Sequence, residues 1–488
     1  MEEPYELPEG WMWTTLPELA DIVMGQSPPS ATYNSEGKGL PFFQGKAEFG
    51  ELFPTPVKWC IAPKKVAKDK DILLSVRAPV GPTNICSEIS CIGRGLTAIR
   101  PNDDIPNMFI LYYLRSIEKK IASSGTGSTF EAISKGDIEK IRIPLPPLNE
   151  QHRIVSRLEA LLAQVNMTKE HLANVPPLMK QFRQSVLVAA CSGRLTEDWR
   201  REHPEVEPAS ELLEDILQRR LKQADKPTKK QRIEKIYSYR EEQDSELLPP
   251  SWEYITLDKL CESFQYGSSK KSMPEGKIPV LRMGNIQEGE IDWSNLVYSS
   301  NNEEIEKYSL EPETVLFNRT NSPELVGKTA IYRSERPAIF AGYLIRINNY
   351  DELDSEYLNY CLNTTQAKEC CLRVKTDGVS QSNINAQKLG KFEIPFCPLE
   401  EQREIVRRVN ALLDIVKSIE QRYQKTKTLM DHLTQSLLAK AFRGELVPQD
   451  PNDEPASVLL ERIIQERAKN EKEKKPRKRK TRTLLDYS

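Results

Sequence analysis

The 488-residue chain carries one sequence unit twice, and this duplication restricts its fold more than any other feature. The block IRIPLPPLNEQHRIVSRLEALLAQV (141–165) returns as FEIPFCPLEEQREIVRRVNALLDIV (392–416), with thirteen of twenty-five positions identical. A long block that recurs once indicates two copies of one structural unit. The copies extend over roughly 1–247 and 248–488.

The similarity between the two copies is uneven. Three further blocks recur near the ends of each copy: 7–19 as 248–260, 178–195 as 429–446, and 207–220 as 454–467. The interiors, such as 28–70 and 270–312, hardly match. Duplicated parts that stay alike share a role, whereas parts that diverged have acquired different ones. We therefore expect a shared scaffold that carries two different functional domains.

Each copy of the strongest block is predicted to start a long helix. A short apolar run ends in prolines, which stop a strand and preset a turn, and apolar residues then recur at alternating steps of four and three. The two stripes keep one heptad phase over 33 residues, as a coiled-coil seam requires. Their members are Ile154, Leu158, Leu161, Val165, Leu172, Met179, Phe182 and Val186 in the first copy, and Ile405, Val409, Leu412, Val416, Ile419, Tyr423, Met430, Leu433 and Leu437 in the second.

Two apolar stripes of equal length can bury each other. Repeated units pair most simply about a pseudo-two-fold axis, which makes the two helices antiparallel; the alternative is that each stripe packs its helix onto its own domain. Pro176-Pro177 interrupts only the first helix and predicts a kink or local break there. Gly193 and Gly444 are predicted to cap the helix C-termini. The common seam would be about 50 Å long and would span roughly fourteen base pairs of B-DNA.

The predicted fold class is α+β: two mixed α/β domains joined by two long helices that form an antiparallel coiled coil, with an internal pseudo-two-fold repeat. The predicted segments are a first mixed domain (1–148), a central coiled-coil helix (149–196), a charged helical connector (197–247), a second mixed domain (248–399), a distal coiled-coil helix (400–446), and a charged C-terminal segment with a basic, disordered tail (447–488).

Composition excludes several classes of function. The net charge is −2, from 69 basic and 71 acidic residues, which argues against a protein that coats nucleic acid by bulk charge. No apolar run approaches the length of a membrane span, and the acidic start lacks the apolar region of a secretory signal, which predicts a cytoplasmic protein. Nine cysteines without paired CxxC spacing and four histidines predict reduced, mostly buried thiols and no metal site.

No catalytic motif stands out in the chain. Gly327-Lys328-Thr329 resembles the end of a phosphate-binding loop, but position 322, where that loop needs glycine, is serine. The sequence contains no GxGxxG, no HExxH and no Asn/Asp-Pro-Pro-Tyr/Phe of the kind that grips a target base in amino-methyltransferases. A chain without a catalytic site or a cofactor of its own is therefore predicted.

Some polar residues recur in the diverged interiors. Arg77 and Gly81 correspond to Arg319 and Gly327, each pair following an apolar run. Because Arg, Lys, Asn and Gln read base edges, and Ser or Thr beside glycine suits phosphate, such residues are candidates for DNA contact. The candidates are Gln44, Lys46, Arg77, Ser128 and Thr129 in the first copy and Arg282, Asn285, Arg319 and Ser380 in the second, with Gln44 and Lys46 placed like Arg282 and Asn285. The alternative for Arg77 and Arg319 is an ion pair with a carboxylate inside the domain.

Taken together, these motifs resemble the type I restriction specificity subunits. The resemblance lies in the WxxxxL openings after Leu-Pro, the IPxPPLxEQxxIVxxL helix start at 143–158 and its counterpart at 394–409, and the helix ends at 184–200 and 435–446. It covers nearly the whole chain and includes the order of the parts. One departure is that the first copy ends in Trp199-Arg200, whereas the second continues as Val447-Pro448.

The resemblance implies that the two mixed domains are target-recognition domains. Each would read one half of a bipartite, asymmetric site in double-stranded DNA, and the helices would set the length of the unread spacer. The implied partners are two methyltransferase subunits and two restriction subunits that act as ATP-driven translocase–nucleases. The complex would use S-adenosylmethionine, ATP and Mg²⁺, none of them on this chain. The alternative is a protein-binding coiled-coil adaptor without sequence-specific DNA binding; a fused enzyme would need motifs that this chain lacks.

Overall fold

The computed structural model describes residues 5–123, 132–238, 248–379 and 381–474, with side chains up to residue 469. The chain divides into two compact units. Unit 1 contains residues 1–173 and 424–488, and unit 2 contains residues 174–423. The units therefore do not coincide with the two sequence copies, because each unit combines a mixed domain with segments from both copies.

Unit 1 begins with a domain rich in short strands. Its elements before residue 174 are β1 (Met12–Thr15), α1 (Leu16–Leu19), β2 (Ala20–Met24), β3 (Tyr33–Asn34), β4 (Leu40–Phe43), β5 (Trp59–Cys60), β6 (Val66–Ala67), β7 (Ile72–Ser75), β8 (Thr83–Ile85), β9 (Ser90–Ile92), β10 (Leu96–Pro101), α2 (Asn107–Ser116), α3 (Glu118–Ser123), α4 (Lys135–Glu139), β11 (Arg142–Leu145) and α5 (Leu148–Ala173).

Unit 2 begins with helices and continues into a second domain of the same kind. Its elements are α6 (Val175–Cys191), α7 (Glu197–Glu202), α8 (Ala209–Gln223), α9 (Pro227–Ser238), β12 (Glu253–Thr256), α10 (Leu257–Leu260), β13 (Cys261–Tyr266), β14 (Ile278–Leu281), β15 (Ile286–Gln287), β16 (Glu290–Ile291), β17 (Val297–Ser299), α11 (Asn302–Tyr308), β18 (Thr314–Asn318), β19 (Thr320–Asn321), β20 (Thr329–Tyr332), β21 (Ile339–Phe340), β22 (Leu344–Asn349), α12 (Ser355–Leu362), α13 (Thr365–Val374), β23 (Thr376–Asp377), β24 (Ser382–Asn383), α14 (Ala386–Gly390) and β25 (Glu393–Phe396).

Two helices complete the chain. Helix α15 (Leu399–Phe442) is continuous and contributes its first part, up to residue 423, to unit 2 and its remainder to unit 1. Helix α16 (Ala456–Lys474) belongs to unit 1. The protein is therefore a mixed α/β protein with long helices, as predicted.

Both units contain the same antiparallel four-stranded sheet. The strand order is β2-β10-β7-β8 in unit 1 and β13-β22-β18-β20 in unit 2. In each unit the first strand also pairs with the strand that precedes the long helix, β1 with β11 and β12 with β25. A parallel strand pair accompanies them, β4 with β9 and β14 with β21.

The central strand of each sheet is buried on both faces, which explains its unbroken apolar sequence. In β7, Ile72 and Leu74 join one apolar cluster while Leu73 joins another. In β18, Val315 and Phe317 likewise face one cluster and Leu316 faces the other. Alternate side chains of a strand point to opposite faces, so each sheet lies between two cores.

The predicted break of the first long helix is confirmed. Helix α5 ends at Ala173, and α6 starts at Val175 with Pro176 and Pro177 in its first turn, where the missing amide hydrogens cost no helical bond. Helix α15 has no proline and continues through the corresponding region. The predicted caps are also confirmed, because Gly193 and Gly444 have φ of 73° and 75° in the left-handed region.

The predicted charged connector (197–247) and C-terminal segment (447–488) are more than solvated flanks. Ala209 and Ile216 of α8 are buried in the core that contains Trp252, and the Ala209 amide donates to the carbonyl of Ser251 at 3.1 Å. The sequence analysis missed this role because the surrounding charges mask a single apolar helix face. In α16, Ala456, Leu459 and Ile463 are buried in the core of Trp11 in the same way. The basic run beyond residue 474 lies outside the described residues.

Within each unit the long helices pack antiparallel. In unit 1, Ile154 and Leu158 share a cluster with Leu438, while further along α5 the Lys169 ammonium lies 2.8 Å from Asp431, which is earlier in α15. In unit 2, Val186 shares a cluster with Ile405 and Val409, and Arg183, which is earlier in α6, pairs with Glu420, which is later in α15, at 3.0 Å.

Burial of the predicted seam varies along the long helices. Ile154, Leu158, Val165, Val186, Ile405, Val409 and Val416 are buried. Leu161, Leu172, Met179, Leu412, Tyr423, Met430 and Leu437 are half-buried. Phe182, Ile419 and Leu433 are exposed, with 43%, 42% and 38% of their surface accessible, so the stripe is not buried along its whole length. The long helices therefore keep apolar surface at these three positions.

Candidate nucleic-acid interface

A tryptophan–glutamate hydrogen bond seats each mixed domain on its long helix. The indole of Trp11 donates to Glu150 at 2.9 Å in unit 1, and the indole of Trp252 donates to Glu401 at 2.8 Å in unit 2. All four side chains are buried. The Leu-Pro…Trp opening and the Glu-Gln helix start recur in the sequence because they form this contact.

The two copies end differently, in Trp199-Arg200 and in Val447-Pro448, and this difference has a structural explanation. In unit 2, the Arg200 guanidinium donates to the Glu401 carboxylate and, at 2.6 Å, to the carbonyl of Gly193. In unit 1, the Gln449 amide donates to Glu150 at 3.2 Å and to the carbonyl of Gly444 at 2.7 Å. Gln449 thus replaces Arg200, although sequence comparison does not align them.

The two carboxylates consequently have different partners. Burial raises the pKa of Glu150, and the hydrogen bonds from Trp11 and Gln449 oppose this rise. Glu401 has, besides Trp252, a cation and the hydroxyl of Thr196 at 2.6 Å. The same seat is therefore formed by a neutral amide in unit 1 and by a cation in unit 2.

Three predicted candidates of the first copy come together in one cleft of about 230 Å³, which we call cleft 1. Gln44, Lys46 and Arg77 line it, together with Ser27 and Arg94. Apart from the half-buried Ser27, these side chains are exposed. Among the described residues, none of the three cations forms an ion pair, so cleft 1 presents three unpaired positive charges.

Strand geometry explains this convergence. The parallel pair β4–β9 brings Phe43 level with Ile92, so that Gln44 and the turn after β9 leave the sheet at one edge. That turn is Gly93-Arg94-Gly95, and a side chain at Gly95 would overlap the carbonyl oxygen of Gln44. Only glycine permits this approach, which places Arg94 beside Gln44. Sequence reasoning missed Arg94, although an arginine between two glycines after a buried strand was an available signal.

The predicted equivalence of Arg77 and Arg319 is wrong by one residue. In unit 1, the Val76 amide donates to the carbonyl of Gly95 at 2.9 Å. In unit 2, the matching bond runs from the Arg319 amide to the carbonyl of Tyr343, also at 2.9 Å, so Arg319 corresponds to Val76. The equivalence of Gly81 and Gly327 holds, because their amides donate to Ser75 and Asn318, the last residues of β7 and β18. A shift of one residue along an extended chain turns a side chain to the opposite face, so Arg77 and Arg319 point differently.

Arg319 is engaged within its own domain. Its guanidinium donates to the carbonyl of Gly342 at 3.3 Å and to Asn383 at 3.2 Å, and it lies 4.7 Å from the ring centre of Tyr266. Within the described ranges, neither Arg77 nor Arg319 pairs with a carboxylate, so the alternative of an internal ion pair is not observed. Arg77 remains open to a ligand, whereas Arg319 supports the loop around Gly342.

Arg282 lines a second cleft of about 540 Å³, which we call cleft 2. Its guanidinium donates to the carbonyl of Asn295 at 2.8 Å, and the Lys328 ammonium is bound to Gln287 at 2.8 Å. The remaining lining includes Asn321, Leu325 and Tyr343, none of which the sequence analysis named. Cleft 2 is thus richer in amide and apolar groups, and its cations are already hydrogen-bonded.

The prediction that Asn285 contacts DNA is not supported. Only 3% of its surface is exposed, its side-chain oxygen accepts from the Arg282 amide at 2.9 Å, and its amide group donates to Asp292 and Ser294. Asn285 is the third and last residue of a short 3₁₀ helix (Met283–Asn285). Unit 1 has a 3₁₀ helix of the same length (Lys46–Glu48), in which Glu48 is the third residue. The counterpart of Asn285 is therefore Glu48, and not Lys46 as the spacing predicted.

Three candidates cannot be placed. Ser128, Thr129 and Ser380 lie outside the described residues. In the described part of the chain, no group of His, Cys, Asp and Glu is arranged to hold a metal ion, and no helix is both long and apolar enough to cross a membrane. The nine cysteines are free, and all but the half-buried Cys370 are buried.

Comparison with known proteins places both mixed domains and their helix starts in one family. The family model described as type I restriction modification DNA specificity domain matches residues 8–176 and 249–428. The type I restriction enzyme EcoKI specificity subunit of Escherichia coli strain K12 is 27% identical over 97% of this chain and 99% of its own length.

Two further similarities differ in extent. A protein of Methanocaldococcus jannaschii named as the type I restriction enzyme MjaX specificity subunit is 46% identical, but the match covers only 37% of this chain and 44% of that relative. A chain solved in work on complex assembly and conformational transition of the type I R-M system is 20% identical and superposes over 91% of this chain and all of its own, with a TM-score of 0.63. The latter likeness concerns the fold.

Proposed function

Because the chain belongs to the type I restriction modification DNA specificity family, we propose that it is the DNA-reading specificity subunit of such a complex and has no catalytic site of its own. One observation supports this most directly. Two units with the same sheet order carry clefts of different chemistry at the ends of corresponding strands, β4 and β14. Two unlike readers on equivalent supports suit a site with two unlike halves.

Cleft 1 suits direct contact with DNA. Arg and Lys bind phosphates and the acceptor edge of guanine, and Gln can pair with adenine in the major groove. Arg77, Arg94 and Lys46 are exposed and have no internal ion pair among the described residues, so binding DNA breaks no ion pair in that part of the chain. In cleft 2, Arg282 and Lys328 must share or exchange internal hydrogen bonds to bind DNA. The two domains therefore read their half-sites by different contacts.

We further propose that α5, α6 and α15 form an antiparallel coiled coil about a pseudo-two-fold axis, which sets the spacer between the half-sites. The antiparallel packing inside each unit supports this arrangement, as does the common heptad phase of the two stripes. The length of helix between the domains then determines the number of unread base pairs.

The proposed partners are double-stranded DNA, two methyltransferase subunits and two restriction subunits, in the cytoplasm. The exposed apolar side chains Phe182, Ile419 and Leu433 on the long helices support a protein partner, because such surface favours burial. S-adenosylmethionine, ATP and Mg²⁺ would be bound by those partners.

Lengthening both helices by one heptad should lengthen the spacer and leave both half-sites unchanged. Seven residues inserted after Lys169 and after Asp431, which contact each other, add about 10 Å of helix, or roughly three base pairs of B-DNA. Mapping of methylated adenine in cells that express the variant with its methylase should show the longer motif. The control is the same heptad in α15 alone, which disturbs the pairing of the helices, and an unchanged spacer in the double insertion would contradict the proposal.

A further inference from the structure

Unit 2 contains a tight hairpin that reaches from the mixed domain to the long helices. Strands β15 and β16 pair through Ile286 with Ile291 and Gln287 with Glu290, which leaves Glu288 and Gly289 as a two-residue turn. Their φ values of 47° and 86° are those of a type I′ turn, which matches the twist of the strands and holds the hairpin rigid.

The inner side of this hairpin is fixed to its own domain. The Asn359 side chain of α12 donates to the carbonyl of Gly289 at 3.1 Å, and the Ile331 amide of β20 donates to the same oxygen at 3.3 Å. The Lys328 ammonium is bound to Gln287 at 2.8 Å, and Lys328 also lines cleft 2. The hairpin therefore moves with the domain and is connected to cleft 2.

The outer side carries acidic residues that pair with the long helices. Arg183 of α6 lies 2.8 Å from Glu288 and 3.0 Å from Glu420, and Lys417 of α15 lies 3.2 Å from Glu290. Arg183 thus joins the hairpin to both helices at one point. We call Arg183, Glu288, Glu290 and Lys417 the hairpin latch.

The hairpin latch lines one wall of a cleft of about 620 Å³ between the hairpin and the helices of unit 2. Lys180 and Lys368 are among its lining residues, and the pKa of Lys368 is lowered by burial and by the neighbouring Lys180. The Trp252–Glu401 hydrogen bond, which seats the same domain, is not part of this cleft. The domain is consequently held on its helices at two separate places, the buried seat and the latch.

Unit 1 has a related but uncharged contact. The Arg115 guanidinium of α2 donates to the carbonyl of Glu51 at 2.6 Å, and the Ile85 amide donates to Leu52 at 2.7 Å, so this turn is also fixed to its domain. The Glu51 carboxylate accepts a hydrogen bond from Asn166 of α5. Asn166 is the counterpart of Lys417, since each follows the last residue of the repeated block.

We propose that the hairpin latch fixes the tilt of the second mixed domain on its helices and thereby determines how strictly the spacer length is read. This inference rests on the proposed function. The latch residues other than Arg183 are more than half exposed, and exposed ion pairs contribute little to folding. An orientation role is the better explanation, because a second attachment point, formed by residues other than those of the seat, restricts rotation of the domain. The four side chains are positioning residues that do not touch DNA.

The test measures methylation by the chain assembled with its methylase on three duplexes that carry the native spacer, one base pair more or one base pair less. Glu290→Lys and Arg183→Ala should each lower the preference for the native spacer by about two- to fivefold, the change that loss of exposed ion pairs allows. The double variant Glu290→Lys with Lys417→Glu, which exchanges the charges, should restore the preference. Half-site preference should not change.

The Lys229–Asp225 pair supplies a matched control, because it is equally exposed but joins α9 only to a residue just before its own start. Its charge reversal should leave the spacer preference unchanged. An unaltered preference in all latch variants would overturn the latch while leaving the proposed function intact. Loss of methylation on all three duplexes in equal proportion would also overturn it, since that result indicates a structural role. If the unaltered chain directs no methylation of a bipartite site, the proposed function fails first.

Discussion

Replacing Arg200 by alanine is expected to destabilise the seat of the second domain by about 3 kcal/mol, because removing one partner of a buried ion pair leaves an uncompensated charge. The Glu401 side chain is fully buried and retains only Trp252 and Thr196 as hydrogen-bond donors in the variant. Hydrogen exchange of β12, β25 and the first turns of α15 measures this local stability. Their protection should fall relative to that of β1 and β11.

The matched variant is Gln449→Ala in unit 1. It removes a neutral hydrogen bond to Glu150 and should cost about 1 kcal/mol, measured on β1, β11 and the start of α5. A second control, Arg201→Ala, removes an exposed pair with Glu197 and should have little effect. Equal losses in Arg200→Ala and Gln449→Ala would show that the charge on Arg200 is not what stabilises the seat.

Replacing Arg77 and Arg94 together by alanine should weaken DNA binding by the chain and its methylase about 100-fold, at the low end of the effect of two specific arginine contacts. The two guanidinium groups lie in cleft 1 without internal partners in the described part of unit 1. Binding titrations on a duplex with the full site, repeated at several salt concentrations, measure the effect. The salt slope should fall by about one for each phosphate contact that is lost.

The effect should be confined to the first half-site. Substitutions in the half-site read by cleft 1 should matter less to the variant if the arginines contact bases, whereas uniform weakening would indicate phosphate contacts. Lys135→Ala serves as the control, because Lys135 is an exposed cation of the same unit that pairs with Glu139. Wild-type affinity and salt slope in the double variant would exclude cleft 1 from the interface.

The sequence predicts this fold well where local pattern and tertiary structure agree. Pro176-Pro177 breaks the first long helix, Gly193 and Gly444 cap the helix ends, and the apolar runs around Ile72 and Val315 form central strands. Each of these features depends on the backbone preferences or burial of a short segment. The internal repeat adds the information that the same elements occur twice.

Register and partner choice are harder to predict. Arg77 and Arg319 take similar positions after their strands in the sequence. In the structure, however, the residue that matches Arg319 is Val76, because the Val76 amide bonds to Gly95 as the Arg319 amide bonds to Tyr343. Gln449 takes the role of Arg200, although the segment from Gly193 to Arg200 and the segment from Gly444 to Gln449 differ in length. The strand register and the choice of partner both depend on contacts between segments that are distant in the sequence. The spacing of residues along the chain does not predict such contacts.

Burial on the long helices was also overestimated from periodicity. A heptad stripe identifies which face of a helix is apolar, but the number of neighbouring elements determines how far that face is covered. Residues such as Ile154 and Ile405 are covered completely, whereas Phe182 and Ile419 keep 43% and 42% of their surface exposed. The apolar surface left there is consistent with the proposed docking of further subunits.

The most direct test of the central proposal is single-molecule sequencing for N6-methyladenine in cells that express this chain with its methylase partner. We predict one bipartite motif with two unlike half-sites, methylated at one adenine on each strand, which disappears when this chain is deleted. Methylation that is absent, or that persists unchanged without the chain, would contradict its role as the DNA-reading subunit.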